Sequence, residues 1–237
     1  SKEEASVIIC PPVYYPFYDA ILNTGRKLVT CELDNNNGYY TLDFEKFEKE
    51  ITDNKVEMFI LCSPHNPVSR VWSEEELDTM FDICRRHGVL VVSDEIHQDF
   101  TYEGKKFVSS ALVGDGKYKD ILITLNAGSK TFNLAGLIGS YHVIYAPYLR
   151  DRIAKYASAS HYNSCNVLSM HALIGAYKEE GREWVDELRT VLGENADYAY
   201  KFITKHFEGV TLAKPEGTYM LFLDCEAWCK KHVTIIG

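Results

Sequence analysis

The sequence predicts an α/β fold in which a mainly parallel sheet lies between two layers of helices, a three-layer αβα arrangement. Two observations support it. Short runs rich in β-branched residues recur along the chain, and segments with the apolar spacing of amphipathic helices separate them. Such alternation is typical of βαβ units, whose helices cover both faces of a parallel sheet. The predicted strands span residues 7–10, 27–32, 58–62, 89–93, 121–125, 138–145, 208–213 and 218–224.

Segments with helical periodicity are predicted to form helices between and after the first six strands. They span residues 16–24, 43–51, 73–87, 148–161, 165–178 and 183–206. The helix at 73–87 has the clearest end signals. Ser73 can cap its first turn, and Glu76 completes a capping box. Gly88 can end the helix, because glycine readily adopts the left-handed conformation found there.

Composition excludes several classes of protein. The 237 residues are 46% hydrophobic and 25% charged, which is ordinary for a globular protein long enough to bury one large core. No apolar run approaches the roughly 20 residues of a membrane span, so we expect no membrane partner. The net charge of −9 argues against a nucleic-acid partner, whose phosphates require a basic face.

The chain contains seven cysteines. They lie inside apolar runs or helical patterns, which is typical of reduced thiols and predicts a cytoplasmic protein without a disulfide framework. Cys225, Cys229 and His232 have a spacing close to that of metal ligands, but no second pair of ligands lies nearby. We therefore expect a half-buried helix there and no metal site.

Three predicted strands are followed by chemically distinctive residues, in chain order Asn66, Asp94 and Lys130. A site for pyridoxal 5′-phosphate (PLP) requires such a set. A lysine amine binds the aldehyde covalently, a carboxylate keeps the ring nitrogen protonated so that the ring withdraws electrons, and an amide hydrogen-bonds the ring hydroxyl. The sequence therefore predicts a PLP cofactor with Lys130 as the catalytic lysine.

Other interpretations of these residues remain open. Lys130 lies between two apolar strands beside Gly128, where a solvated lysine is unexpected, and the upstream glycine of a P-loop is missing. Asp94 follows an apolar run, and a buried carboxylate needs a cationic partner. That partner could be the protonated ring nitrogen or Lys130 itself in a plain ion pair. Asn66 could be a simple turn residue, and Glu95 could be the structural carboxylate.

Four motifs carry a resemblance to a known family. They are PPVYYPF at 11–17, CSPHNP at 62–67, SDEIH at 93–97 and SKTFNLAGL at 129–137. Together they resemble fold-type I PLP enzymes of the aminotransferase class I/II superfamily, and in finer pattern its MalY/PatB branch of cystathionine β-lyase-like carbon–sulfur β-lyases. The resemblance runs over essentially the whole chain. It implies a seven-stranded sheet like that of the aspartate aminotransferase large domain.

The resemblance also implies a domain organisation. We expect residues 1–207 to form the PLP-binding large domain without its N-terminal segment, and residues 208–237 to begin a small C-terminal domain that is cut short. It further implies a homodimer that acts on a small amino acid.

Site roles follow from the resemblance residue by residue. Tyr14 is expected to place its ring over the cofactor and to help move protons, which makes it a catalytic candidate beside Lys130; Tyr15 is the obvious alternative. His97 stands where aminotransferases commonly carry a tyrosine that contacts the ring hydroxyl, although a purely structural histidine is equally compatible with the sequence. The expected cofactor contacts are Lys130, Asp94, Asn66, His97, Tyr14 and Ser129.

Phosphate binding is where the sequence departs from the aminotransferases. Ser129 offers a hydroxyl, but Ala127 stands where these enzymes often carry a serine, and Ile138 where they carry an arginine. The absent arginine favours the lyase branch. We expect further phosphate ligands from a helix N-terminus in the N-terminal segment and from a tyrosine of a second subunit. The arginine that clamps the substrate carboxylate is expected in the C-terminal part.

Three functions are compatible with this sequence. The first is a PLP-dependent β-lyase that converts cystathionine- or cysteine-type amino acids into pyruvate, ammonia and a thiol. The second is an aminotransferase that moves an amino group between an amino acid and a 2-oxo acid, and the replaced arginine and His97 count against it. The third is a PLP-fold regulatory protein that acts by binding a partner.

Overall fold

The computed structural model describes residues 4–232, and a central six-stranded sheet organises them. Its strands are β1 (Ser6–Ile9), β2 (Lys27–Thr30), β5 (Val56–Cys62), β6 (Leu90–Asp94), β7 (Leu122–Asn126) and β8 (Tyr141–Val143). Their order is β2-β1-β5-β6-β7-β8, and all neighbours are parallel except β8, which runs antiparallel to β7. The predicted α/β class with a mainly parallel sheet is confirmed. The count of seven strands came from the family resemblance, and the described residues supply six.

A small hairpin stands apart from this sheet. It pairs β3 (Asp34–Asn36) with β4 (Tyr39–Thr41) in antiparallel register. The two residues between these strands, Asn37 and Gly38, have φ angles of 55° and 91°, as a two-residue hairpin turn requires. A Cβ on Gly38 would lie 2.6 Å from the backbone nitrogen of Ala213, so the turn also needs glycine for this close approach.

Nine helical segments accompany the strands in the described part of the chain. They are α1 (Pro16–Leu22), α2 (Phe44–Asp53), α3 (Glu74–Arg86), α4 (Val113–Gly116), α5 (Gly128–Thr131), α6 (Pro147–Ala159), α7 (Val167–Ala176), α8 (Glu179–His206) and α9 (Glu226–Lys231). The predicted capping box of α3 is confirmed. The Ser73 hydroxyl accepts from the Glu76 N–H at 3.2 Å, and the Glu76 carboxylate accepts from the Ser73 N–H at 2.8 Å.

Both faces of the sheet are buried, as expected for parallel strands. Because side chains alternate along a strand, Ile8 of β1 joins the core formed with α2 and α3, whereas Val7 and Ile9 join Phe17 and Ile21 of α1 on the opposite face. The sheet is therefore a rigid platform, and its carboxyl edge is available to carry functional groups.

The strands predicted at 208–213 and 218–224 are wrong. The two segments contribute only one bridge to each other, between Thr211 and Asp224. The backbone groups of Thr218 and Met220 instead bond to residues in the loops that follow β5 and β6, which are distant in sequence. The boundary predicted between residues 207 and 208 remains a prediction.

Two absences hold for residues 4–232. No helix in this range is long and apolar enough to cross a membrane. No group of three or more potential metal ligands comes together in it. Of the three residues with a spacing close to that of metal ligands, Cys225 immediately precedes α9 and Cys229 lies within it. The ring of His232 bonds to the Trp228 carbonyl at 2.8 Å.

Candidate functional site

The carboxyl ends of β5, β6 and β7 lie side by side at one edge of the sheet. Cys62 pairs with Asp94, and Asp94 pairs with Leu125. The ladder continues past the strands, because the Ser63 N–H donates to the Asp94 carbonyl at 2.9 Å and the Glu95 N–H to the Leu125 carbonyl at 2.9 Å. The loops that carry the predicted site residues therefore leave the sheet at neighbouring points.

Lys130 lies in the short α5 turn that follows β7, and it is half-buried. Its ammonium makes no hydrogen bond or ion pair with another described residue, but its charge acts on both Asp94 and His97. The next residue, Thr131, is buried and donates its hydroxyl to the Asp99 carboxylate at 2.6 Å. This bond ties the lysine turn to the segment that follows β6.

Asp94 ends β6, and burial raises the pKa of its carboxyl above the ordinary value. The Ile96 N–H, which donates to this carboxylate at 3.1 Å, and the Lys130 charge both lower that pKa. The Glu95 side chain instead bonds to the segment around Ser110. Its carboxylate accepts from the Ser110 N–H at 2.8 Å and from the Ser109 hydroxyl at 3.0 Å. Asp94 is thus the carboxylate close to the lysine, and Glu95 is the structural one.

His97 is only 2% exposed, and burial, aided by the Lys130 charge, lowers its pKa to about 4. The imidazole is therefore neutral at pH 7. Its Nδ1 is buried and makes no hydrogen bond within the described residues. The ring packs against Tyr219 at 5.2 Å between centroids and against Phe100 at 6.3 Å.

Asn66 lies in the loop after β5 and is 8% exposed. Its backbone N–H donates to the Cys62 sulfur at 3.4 Å, while its side-chain amide makes no hydrogen bond with a described residue. The peptide between Asn66 and Pro67 is cis. The neighbouring His65 ring nitrogen Nε2 lies 2.9 Å from the Pro12 carbonyl, which holds this loop against the segment that leads to Tyr14.

The other predicted residues are less tightly connected. Tyr14 is partly exposed, and its ring contacts within residues 4–232 are with Tyr15 and Phe17, each at 5.7 Å. Ser129 is half-buried with no side-chain hydrogen bond in the same range. Ile138, which stands where aminotransferases carry a phosphate-binding arginine, is 75% exposed. The structure therefore brings Lys130 close to Asp94 and His97, with Asn66, Tyr14 and Ser129 on adjoining loops.

Two connections behind this site were not predicted. Arg70 is buried and pairs with Glu76 at 2.8 Å and with Glu216 at 3.1 Å. The Ser69 and Thr218 hydroxyls lie 2.9 Å apart. Nothing in the local sequence signals the contacts with Glu216 and Thr218, because these partners lie 146 and 149 positions away.

The residues present fit PLP. Asp94 is a half-buried carboxyl whose pKa is raised by burial, and a protonated ring nitrogen would supply a positive partner for it. The bare Nδ1 of His97 and the unbonded amide of Asn66 are groups that a ring hydroxyl could satisfy. The Lys130 amine is unbonded and could reach an aldehyde. Ser129 is the available hydroxyl for a phosphate oxygen.

Two cavities in the described structure are lined by none of the predicted site residues. A cavity of about 940 Å³ lies between residues 101–105, α8 and residues 213–216, and no predicted site residue lines it. A smaller one of about 410 Å³ reaches Asp99 and Thr131 next to the lysine turn. We place the candidate site at the strand ends because three of the four buried side-chain atoms without a hydrogen-bond partner in the described residues lie there, on His65, His97 and Asn126, whereas the fourth belongs to Arg189 beside these cavities.

Comparison with known proteins identifies the family of the chain. Residues 1–233 match the family Aminotransferase class I and II. Cystathionine beta-lyase PatB of Bacillus subtilis (strain 168) is 37% identical over 222 residues, covering 94% of this chain and 57% of that relative.

Two solved structures are also similar. The PLP-bound putative aminotransferase from Clostridium difficile 630 has a TM-score of 0.91 at 36% identity, covering 96% of this chain and 58% of the other. The PLP-bound C-S lyase from Staphylococcus hominis has a TM-score of 0.89 at 32% identity, covering 98% and 57%. The chain thus spans little more than half the length of these relatives. With a family match along nearly its whole length and relatives above 30% identity, the chain belongs to the class I and II aminotransferase family.

Proposed function

We propose that the full-length protein is a PLP-dependent carbon–sulfur β-lyase, which acts on cystathionine- or cysteine-type amino acids and releases pyruvate, ammonia and a thiol. The observation that carries this proposal is the unbonded Lys130 amine close to Asp94, a half-buried carboxyl whose pKa is raised by burial. The likeness to a cystathionine beta-lyase at 37% identity supports the choice of reaction.

Each predicted site residue has a separate role in the proposed reaction. When bound, PLP supplies an electron-withdrawing ring that stabilises negative charge at the substrate α-carbon. Lys130 would bind the aldehyde of the cofactor covalently, and its amine would take the α-proton of the substrate. Asp94 would accept the N–H of the ring nitrogen and keep that nitrogen charged. His97, neutral at pH 7, and Asn66 would hold the ring hydroxyl.

Two further residues complete the proposed site. Tyr14 would contact the cofactor ring and help to move protons, while Ser129 would offer its hydroxyl to the phosphate. Loss of the β-thiolate after removal of the α-proton makes the reaction an elimination. A transamination would instead leave the β-substituent in place and transfer the amino group to a 2-oxo acid.

An aminotransferase is the second candidate, favoured by the likeness to a putative aminotransferase at 36% identity. One assay separates the two reactions. The full-length protein is incubated with cystathionine, with and without a 2-oxo acid, while pyruvate and free thiol are measured. Pyruvate and thiol without the 2-oxo acid support the lyase, whereas turnover that depends on the 2-oxo acid assigns the protein to the aminotransferases.

A regulatory PLP-fold protein is the third candidate. Lys130→Ala separates it from both enzymes. If the protein is an enzyme, the variant should lose activity by about 10²–10⁴-fold, the usual contribution of a positioned acid–base group. If it acts by binding a partner, the variant should keep its regulatory effect, and wild-type protein should show no turnover.

We also propose a homodimer. Apolar side chains on α6 and α7 are left exposed, among them Tyr156 at 68%, Leu168 at 70% and Ile174 at 64%. A patch of this kind on one side of a protein is typical of an interface. Light scattering on the full-length protein tests this, and a monomeric mass at micromolar concentration would contradict it.

A further inference from the structure

Thr218 occupies a strained backbone conformation beside the candidate site. It is fully buried and has a φ of 59°, in the left-handed region that β-branched residues rarely adopt. Such a conformation is strained and persists only where surrounding contacts impose it. The contacts around Thr218 therefore indicate the structural role of this strained conformation.

Four hydrogen bonds hold Thr218 in place. Its N–H donates to the Phe100 carbonyl at 2.9 Å, and its carbonyl accepts from the Tyr102 hydroxyl. Its own hydroxyl lies 2.9 Å from that of Ser69 and accepts from the Met220 N–H at 3.1 Å. Both backbone polar groups and the side chain are thus satisfied, so the residue is locked from several directions.

We call residues 216–220 the crossing segment, because it bonds to the loops after both β5 and β6. On the β5 side, the Ser69 carbonyl accepts from the Glu216 N–H at 3.0 Å, and the Ser69 hydroxyl donates to the Met220 carbonyl at 2.8 Å. On the β6 side, a Cβ on Gly217 would lie 2.5 Å from the Phe100 carbonyl, so the two backbones touch.

The strained turn at Thr218 places the Tyr219 ring in contact with His97. The two rings meet edge to face with centroids 5.2 Å apart. Phe100 completes the cluster, with its centroid 5.4 Å from that of Tyr219. The Tyr219 hydroxyl makes no hydrogen bond with a described residue, so the contact depends on the ring rather than on the phenol oxygen.

We propose that Thr218 and Tyr219 are positioning residues for His97: the left-handed turn at Thr218 presses the Tyr219 ring against the imidazole and fixes its plane, so that the unpartnered Nδ1 meets one oxygen of the ligand. The inference rests on the cofactor site proposed above. The other groups that act on this imidazole are Phe100 and the charge of Lys130.

Three variants of the full-length protein test this inference. Tyr219→Ala removes the ring, Tyr219→Phe removes only the hydroxyl, and Thr218→Val removes only the hydroxyl that bonds to Ser69. The first readout needs no cofactor: the pKa of His97 is followed by NMR of the imidazole nitrogens, assigned with His97→Gln. We expect Tyr219→Phe to match wild type, and the other two variants to move the pKa towards that of a hydrated histidine.

The second readout is cofactor binding. The dissociation constant for PLP, titrated by visible absorbance, should rise roughly two- to tenfold in Tyr219→Ala, the equivalent of one aromatic contact, and stay unchanged in Tyr219→Phe. The pH profile of the bound cofactor's absorbance should shift in the same variant. Thermal melting of the cofactor-free proteins identifies a folding defect, and Tyr219→Leu replaces the alanine variant if that one fails to fold.

The outcomes separate the two proposals. An unchanged His97 pKa and an unchanged PLP dissociation constant in a folded Tyr219→Ala or Tyr219→Leu protein would overturn the positioning role. Failure of wild-type protein to bind PLP would overturn the proposed function, while the NMR comparison would still decide whether Tyr219 orders His97.

Discussion

Arg70 donates from Nε to the Glu216 carboxylate at 3.1 Å, and both side chains are buried. The same guanidinium bonds to both oxygens of Glu76 and to the Tyr40 carbonyl. Its plane lies 4.4 Å from the Tyr39 ring centroid. Arg70 thus joins the loop after β5, the first turn of α3 and the crossing segment. The site loops are held together by one buried ion-pair network.

Arg70→Met should destabilise the protein strongly. It removes the buried cation that joins Glu216 to Glu76 and leaves Glu216 only the half-exposed Lys105 ammonium and the Val71 N–H, and breaking a buried ion pair on one side costs up to about 3–5 kcal/mol. Arg86→Met is the matched control, because the Arg86 pairs with Glu48 and Asp82 are exposed and should contribute little to stability. Urea unfolding of both variants measures the difference. Equal losses would contradict the network.

Asp94→Asn should affect stability and cofactor binding in opposite directions. Burial raises the pKa of Asp94, so in the cofactor-free protein its contribution to stability is greatest below the ordinary pKa and is lost as pH rises through the raised one. The neutral amide escapes this loss, so the variant should unfold at a higher temperature than wild type at pH 7.

Cofactor binding should weaken in the same variant. Loss of one charge-assisted hydrogen bond of about 1.5–3 kcal/mol corresponds to a roughly 10- to 100-fold higher dissociation constant for PLP. Glu95→Gln changes the adjacent buried carboxylate, which bonds to Ser109 and Ser110, and should leave that constant unchanged. A larger effect in Glu95→Gln than in Asp94→Asn would contradict the assignment.

Acid should destabilise the cofactor-free protein through two buried histidines. Burial lowers the pKa of both His65 and His97 from 6.5 to about 4. The unfolded chain therefore binds more protons as pH falls, and stability is lost between pH 6.5 and 4. Each histidine contributes about 3 kcal/mol to this loss at ~1.4 kcal/mol per pKa unit.

The pH dependence of unfolding in urea measures this loss. His65→Gln and His97→Gln should each flatten the slope between pH 6.5 and 4, and the double variant should flatten it further. A slope identical to that of wild type in the double variant would show that neither histidine is held neutral by burial.

Local signals predicted much of the fold. Helix α3 follows Ser73 and is followed at its end by Gly88 with a φ of 69°, because caps depend on residues only a few positions apart. The grouping of Asp94 with Lys130 was predictable for a related reason. Residues that follow parallel strands must leave the sheet at the same edge.

Long-range contacts were not predictable in this way. Residues 208–213 and 218–224 were predicted to be strands, but residues 216–220 bond instead to Ser69, Phe100 and Tyr102. These partners are far apart in sequence, and no propensity encodes them. The role of Tyr219 at His97 depends on the same contacts, so it emerged only from the structure.

Lys130 is the residue that we propose binds PLP covalently. The most direct test is reduction of the PLP-loaded full-length protein with borohydride, which makes a lysine–PLP bond permanent, followed by mass analysis of its peptides. We predict one phosphopyridoxyl group, located on Lys130, and none in Lys130→Ala. A label on a different lysine, or bound cofactor with no label at all, would contradict the account.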